Sequence, residues 1–191
     1  VKLKVINLYA GPGSGKSTTA AGLFNLMKTS GYSVELVTEA AKDRTYERAW
    51  DVRNNQLLLF AQQDHRLRRL EGQVEWAVTD SPLPLGCVYI GPLSEYGRWL
   101  PVAIWSRFAQ YNNHNVMIRR VKPYQTFGRT QTEAEARALD AAARGTWEAA
   151  DTLSASRGFE VDGDAEAPYA ILHNLGLAVP VVPRKSGLDW E

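Results

Sequence analysis

The sequence predicts an α/β protein whose parallel sheet is covered by helices on both faces, and three observations carry that expectation. Short β-favouring runs alternate with longer helix-compatible stretches along the 191 residues. Those stretches are long enough to cross back over a sheet, as consecutive parallel strands require. The first run ends in a glycine-rich turn that opens directly into a helix, a strand–loop–helix unit.

The elements follow in order. Leu3 to Tyr9 is apolar and β-favouring, so it reads as the first strand. The turn Gly11-Pro12-Gly13-Ser14-Gly15 leads into a helix from Lys16 to about Lys28, with Leu23, Leu26 and Met27 on one side and Gly31 at the C-terminal glycine position. Ser33 to Thr38 makes a second strand and Val74 to Thr79 a third. Between them, Asp43 to Glu71 holds helix in two pieces split near Asp51 to Asn55, with Leu57, Leu58, Phe60, Ala61 and Leu67 as its buried side. Ser94 to Tyr111 is helical, although Gly97 and Pro101 argue for a break or a late start, and Asn115 to Val121 is the fourth strand. Thr132 and Glu135 have the spacing of a capping box, so a long Ala-rich helix begins at Thr132 and runs to about Ser156. Phe159 to Asp162 reads as a short fifth strand, and Asp164 caps a last helix through about Leu177. Residues 1–178 are thus expected to form one domain. Val179 to Glu191, with two Pro and no period, is a loop-like or partner-bound tail.

Composition narrows the functional classes. Lys plus Arg number 22 against 21 Asp plus Glu, which excludes a histone-like or polyacidic chain. A single Cys, Cys87, allows no internal disulfide, and His65, His114 and His173 are too scattered for a zinc cluster. No apolar run approaches the roughly 20 residues of a membrane span, and Val1 to Tyr9 lacks a secretion-signal pattern. A cytoplasmic protein with no membrane partner is expected.

Ala10-Gly11-Pro12-Gly13-Ser14-Gly15-Lys16-Ser17 matches a phosphate-binding loop with Ala in the first position, and it has the strand before and the helix after that the motif demands. Glycines let successive backbone N–H groups between Gly11 and Thr18, Pro12 having none, turn inward on phosphate oxygens, and the helix N-terminus adds about half a positive charge. Lys16 would reach the β- and γ-phosphates, and the Ser17 hydroxyl would ligate Mg²⁺.

In a parallel sheet, ligands bind beyond the carboxyl ends of the strands. Glu39 follows the second strand, Asp80 and Ser81 the third, and Arg119, Arg120 and Lys122 the fourth. Asp80 ends an apolar run as a Mg²⁺-holding acid does; its other reading is an Asx turn before Pro82. Ser81 stands where many motor ATPases carry a Glu, and no Asn-Lys-x-Asp guanine-reading sequence is present, so transfer to a bound acceptor is favoured. Glu39 could take the proton of an attacking hydroxyl, or be a helix-start acid or surface charge. From Tyr96 to Thr132 there is no acid but six cations interleaved with aromatics, a composition suited to phosphates and bases. Within it, Trp99, Trp105 and Phe108 read as core residues, while residues 122–131 read as a mobile lid that would bring Arg129 to the transferring phosphoryl group.

Together these residues resemble the P-loop kinases of the thymidylate-kinase and ribosylnicotinamide-kinase-like group, especially phage-encoded members. The resemblance rests on the loop through Ser17, on Leu36 to Asp43, Gln62 to Leu67, Thr79 to Leu83, and Arg120 to Tyr124 with Gly128-Arg129. It implies a P-loop three-layer fold with a five-stranded parallel sheet, ATP with Mg²⁺, and a nucleoside, nucleotide or nucleic-acid acceptor. One branch resembles kinases that phosphorylate 5-hydroxymethyluracil already in phage DNA. Glu39-Ala40-Ala41 stands where thymidylate kinases have Arg-Glu-Pro, which turns the expectation from a free thymidylate toward a DNA-borne hydroxyl. A free deoxynucleoside monophosphate or nucleoside is the alternative acceptor, and a nucleotide-gated ATPase or regulatory subunit the alternative of another class.

Overall fold

The computed structural model describes residues 2–49, 55–91, 93–121, 132–154 and 157–178. The expected lid at 122–131 with Arg129, the helix split near 51–55 and the tail 179–191 lie wholly or almost wholly outside the described residues.

Five strands form one sheet: β1 (Lys4–Tyr9), β2 (Val34–Val37), β3 (Trp76–Thr79), β4 (Asn112–Arg119) and β5 (Phe159–Asp162). Their spatial order is β2-β3-β1-β4-β5, and every neighbouring pair is parallel. The helices are α1 (Lys16–Thr29), α2 (Ala40–Tyr46), α3 (Gln56–Arg68), α4 (Leu100–Phe108), α5 (Glu133–Thr152) and α6 (Ala167–Asn174), with a 3₁₀ helix at Leu83–Tyr89. This is the α/β three-layer fold of the P-loop kinases.

Alternation along β1 divides the core. Ile6 and Leu8 face α1 and α6, packing with Leu23, Met27, Ile171 and Leu172. Val5 faces the other layer, where Leu67, Leu83, Leu100 and Ile104 cover it, and Tyr9 packs there with Phe108, Met117 and Ala150. Burial on both faces leaves only the strand ends for chemistry. Helix α1 stops where Gly31 takes φ 85°: its N–H donates to the Lys28 carbonyl, and that of Tyr32 to the Met27 carbonyl. Helix α5 starts at the capping box on Thr132 and Glu135. Asp164 Oδ1 accepts from the Glu166 and Ala167 N–H groups at 2.9 and 3.2 Å, opening α6.

Several boundaries depart from the sequence expectation. Strand β4 starts three residues early, at Asn112, because its polar residues pair inside the sheet. Asn7 Nδ2 donates to Asn113 Oδ1 and Asn115 Oδ1 at 3.0 and 3.2 Å, and Asn115 Nδ2 donates to Ser154 Oγ at 2.7 Å. Satisfied amides of this kind tolerate full burial and pin the β1–β4 register. Helix α4 begins late, with Pro101 in its first turn, and leaves Trp99 46% exposed, so that ring is not core as expected; Phe108 is. The α3 stripe is Phe60, Gln63 and Leu67, at helical spacing, which turns Leu57 and Leu58 outward, contrary to the expected buried side. Helices α5 and α6 end at Thr152 and Asn174, short of the expected Ser156 and Leu177. A 3₁₀ helix, absent from the sequence expectation, follows Pro82. Among the described residues no helix is long and apolar enough to cross a membrane.

Candidate active site at the carboxyl edge of the sheet

With all five strands parallel, the strand ends open on one side of the molecule, and the turns after β1, β2 and β3 border a cleft of about 790 Å³. Residues Ala10, Gly11, Pro12, Gly13, Gly15, Lys16, Ser17 and Thr18 form one end of its lining, with Asp80 beside them. Ser14 is turned inward and buried, its hydroxyl donating to the Gly11 carbonyl at 2.9 Å and so tightening the loop. Gly15 sits at φ 105°, a conformation that strains any residue with a Cβ, and it lets the chain enter α1 without a side-chain cap. The first turn of α1 carries no acid, so its positive end is not neutralised locally. Lys16 Nζ donates to the carbonyls of Ala10 and Gly11 at 2.8 and 2.9 Å, lying back along the loop. Burial lowers the Lys16 pKa, the carboxylates of Glu39, Asp80 and Asp140 pull it back up, and Arg120 lowers it again. Those four groups therefore all act on one ammonium.

Ser17 Oγ donates to Asp80 Oδ2 at 2.5 Å. The turn after β3 is closed by Thr79, whose hydroxyl accepts from the Ser81 N–H at 3.1 Å, so Asp80 is not spent on an Asx turn. Asp80 is 5% exposed, and among the described residues its buried Oδ1 has no hydrogen-bond partner. A buried carboxylate oxygen left over beside a serine hydroxyl fits a divalent cation that takes most of its remaining ligands from phosphate and water. Among the described residues no group of three or more His, Cys, Asp or Glu is placed to hold a metal ion.

Glu39 is the N-cap residue of α2 but makes no capping bond, and it lines the cleft. Arg120 makes a forked pair with Asp140, Nε to Oδ2 at 2.8 Å and Nη2 to Oδ1 at 3.0 Å, and donates to the Pro12 carbonyl at 2.6 Å. Arg119 does not join the group: it donates sideways to Asp162 Oδ1, its register partner on β5, at 2.8 Å. The structure thus brings Lys16, Ser17, Glu39, Asp80 and Arg120 together, and leaves Arg119 out. Arg129 and Lys122 lie outside the described residues.

Sequence reasoning missed two groups here. Asp140, from the middle of α5, accepts from the Gly11 N–H at 2.8 Å. Gln63, 6% exposed on α3, accepts the Ala40 N–H through Oε1 at 3.0 Å, which fixes the amide so that its buried, unpartnered Nε2 is the end left over. A Gln on the Phe60–Leu67 stripe was the available signal, since a polar residue at a buried helical position needs a partner. The far wall mixes polar side chains, Lys42 and Thr45 of α2 and Gln56 of α3, with apolar and aromatic ones, Tyr46 of α2, Phe60 of α3 and Leu83, Leu85 and Tyr89 of the 3₁₀ helix. Tyr46 and Tyr89 are 76% and 52% exposed, so they stand at its rim.

An AAA domain family model matches residues 5–156. No curated protein matches the chain. Among solved structures, a deoxyadenosine kinase from M. mycoides is similar with TM-score 0.57 and 14% identity, over 90% of this chain and 98% of that one. A NadR protein in complex with NR is similar with TM-score 0.64 and 14% identity, over 98% of this chain and 54% of the other. At that identity the likeness is one of fold.

Proposed function

The chain belongs to this AAA domain family, and on that premise we propose that it is an ATP-dependent kinase that passes the γ-phosphoryl group of ATP to a hydroxyl on a nucleobase-bearing acceptor. The observation that carries the reading is one cleft lined by a phosphate loop, by the Glu39 carboxylate that acts on Lys16, and by a far wall of α2, α3 and the 3₁₀ helix. An ATPase needs only the first of these; a kinase needs room and a proton acceptor as well. The deoxyadenosine kinase among the structures of similar fold, which holds dCMP and dCDP, supports a nucleoside-type acceptor.

In this reading the loop amides and the α1 N-terminus hold the triphosphate, and Lys16 leaves its loop carbonyls to follow the β- and γ-oxygens. Ser17 and Asp80 would hold Mg²⁺, which when bound neutralises phosphate charge and fixes its oxygens. Glu39 accepts the proton of the attacking hydroxyl as the oxygen–phosphorus bond forms and ADP leaves. Arg120 adds a guanidinium beside the loop, where charge on the transferring group is spread, and Arg129 is proposed to join it from residues 122–131. Gln63 Nε2 donates to a carbonyl of the acceptor base, while Tyr46 and Tyr89 offer stacking faces at the rim.

For the acceptor we favour the 5-hydroxymethyl group of a uracil in DNA. A carbonyl-bearing pyrimidine suits the buried Gln63 amide donor, and exposed rings at the rim suit a base that arrives attached to neighbours. A free nucleoside is the second reading, which the size of the cleft, about 790 Å³, accommodates. The test is incubation with γ-labelled ATP and a panel of free nucleosides, monophosphates, and oligonucleotides with and without 5-hydroxymethyluracil. Label on the modified oligonucleotide is expected. Label on free nucleosides alone supports the second reading, and label appearing only as inorganic phosphate refutes the kinase.

A further inference from the structure

Helix α5 runs over the phosphate loop at close range. Ala136, Asp140 and Ala143 lie on one stripe at i, i+4 and i+7; both alanines are buried, and the Ala136 carbonyl would stand only 2.9 Å from a Cβ on Gly11. A Cβ there would also collide with the Asp140 carboxylate, so Gly11 is glycine because α5 is seated on it. The Asp140 carboxylate does two things at once. It receives the Gly11 N–H at 2.8 Å, and it takes the Arg120 fork at 2.8 and 3.0 Å. Arg120 in turn donates to the Pro12 carbonyl at 2.6 Å, closing a ring of contacts from α5 through the end of β4 to the loop and back. The Arg120 side chain is 10% exposed and that of Asp140 25%, so this is a partly dry pair in which a forked geometry is strongly orienting.

The same carboxylate is a negative charge against the loop that must accept a polyanion. Its field reaches the Lys16 ammonium, together with those of Glu39 and Asp80, so three carboxylates share the cup with two cations before any nucleotide arrives. Orientation and charge therefore act in opposite senses on nucleotide binding and on transfer.

We propose that Asp140 is a positioning residue whose two effects oppose each other: its carboxylate fixes Arg120 and Gly11 for phosphoryl transfer, and its charge weakens the hold on the triphosphate. The inference rests on the reading of the loop as a triphosphate cup. Asp140→Asn keeps an oxygen for the Gly11 N–H while removing the charge and the fork. It should bind a non-hydrolysable ATP analogue about threefold to tenfold more tightly, with the gain shrinking as salt is added. Its turnover should fall at least about tenfold, because Arg120 loses its fixed direction. A merely structural role would instead lower affinity, turnover and thermal stability together.

The full chain is titrated with the analogue by calorimetry, alongside labelled-phosphate turnover, for wild type, Asp140→Asn, Arg120→Gln and the double variant. The double variant, in which both members of the partly buried pair are neutral, keeps the test alive if the single change does not fold. It should retain the tighter binding relative to Arg120→Gln and lose no further turnover. Absence of analogue binding by wild type would refute the triphosphate cup itself. Binding by wild type that is not tightened in Asp140→Asn, or in the double variant against Arg120→Gln, overturns the inference, as does a tightened variant with undiminished turnover.

Discussion

The two ends of the cleft are built in different ways. At the phosphate end, eight consecutive residues, 10–17, supply the cup from their own backbone, and one hydroxyl–carboxylate contact, Ser17 to Asp80, ties it to the next strand. At the far end, no segment contributes more than a few side chains: Tyr46, Phe60, Gln63 and Tyr89 come from three separate helices. Backbone amides of a loop bind any triphosphate, whereas dispersed side chains can be exchanged one at a time. The phosphate end should therefore be intolerant of change for every acceptor, and the far end should set which acceptor is used.

Removing the cup's charge breaks the comparison most severely. Lys16→Ala should lower transfer about 10²–10³-fold or more with every acceptor alike, because no other described ammonium lies within the loop; steady-state transfer across the acceptor panel checks this. Next comes the junction of the two ends. Glu39→Gln should cost about 10²-fold or more in kcat if the acceptor is a hydroxyl, with ATP affinity nearly unchanged. A near-normal Glu39→Gln enzyme would move the acceptor to a phosphate.

A smaller and selective effect is expected at the far wall. Gln63→Glu retains an oxygen for the Ala40 N–H but removes the donor, so KM for a carbonyl-bearing pyrimidine should rise about tenfold while KM for ATP stays within about twofold. Equal losses for both substrates would show Gln63 to be scaffolding. The smallest effect concerns the 3₁₀ helix of that wall, where burial pushes the Cys87 thiol up from 9.0 to about 11. The folded chain keeps that proton when the unfolded chain has released it, so this group's contribution to stability is present below pH 9 and is lost between about 9 and 11. Cys87 should accordingly resist iodoacetamide near neutrality, and an alkaline unfolding series of Cys87→Ser should lack that part of the decline.

How much of this was legible in the sequence follows the same division. The loop could be read because its chemistry is contiguous, and the carboxylates after β2 and β3 could be read because a parallel sheet puts strand ends on one edge. The Thr132 cap and the Asp164 start of α6 were equally plain, being local rules. What failed was non-local. Asn112 to His114 fell outside the strand expected to start at Asn115, because Asn7, whose amide pairs with Asn113 inside the sheet, is more than 100 residues away. Leu57 and Leu58 looked like core until the sheet chose the Phe60–Gln63–Leu67 stripe instead. Asp140 was invisible for the same reason: nothing in an Ala-rich helix says which of its acids will sit on a loop 129 residues earlier.

Both ends are claimed to be filled at once, with the reacting atoms between Lys16 and Glu39. A bisubstrate compound tests that directly: adenosine joined through an oligophosphate bridge to the 5-hydroxymethyl oxygen of deoxyuridine, titrated against wild type by calorimetry. Binding at least about 10²-fold tighter than ATP, competitive with ATP and acceptor alike, is the expected result. A compound that binds no better than ATP and leaves the acceptor undisplaced would mean that the far wall belongs to something other than the acceptor.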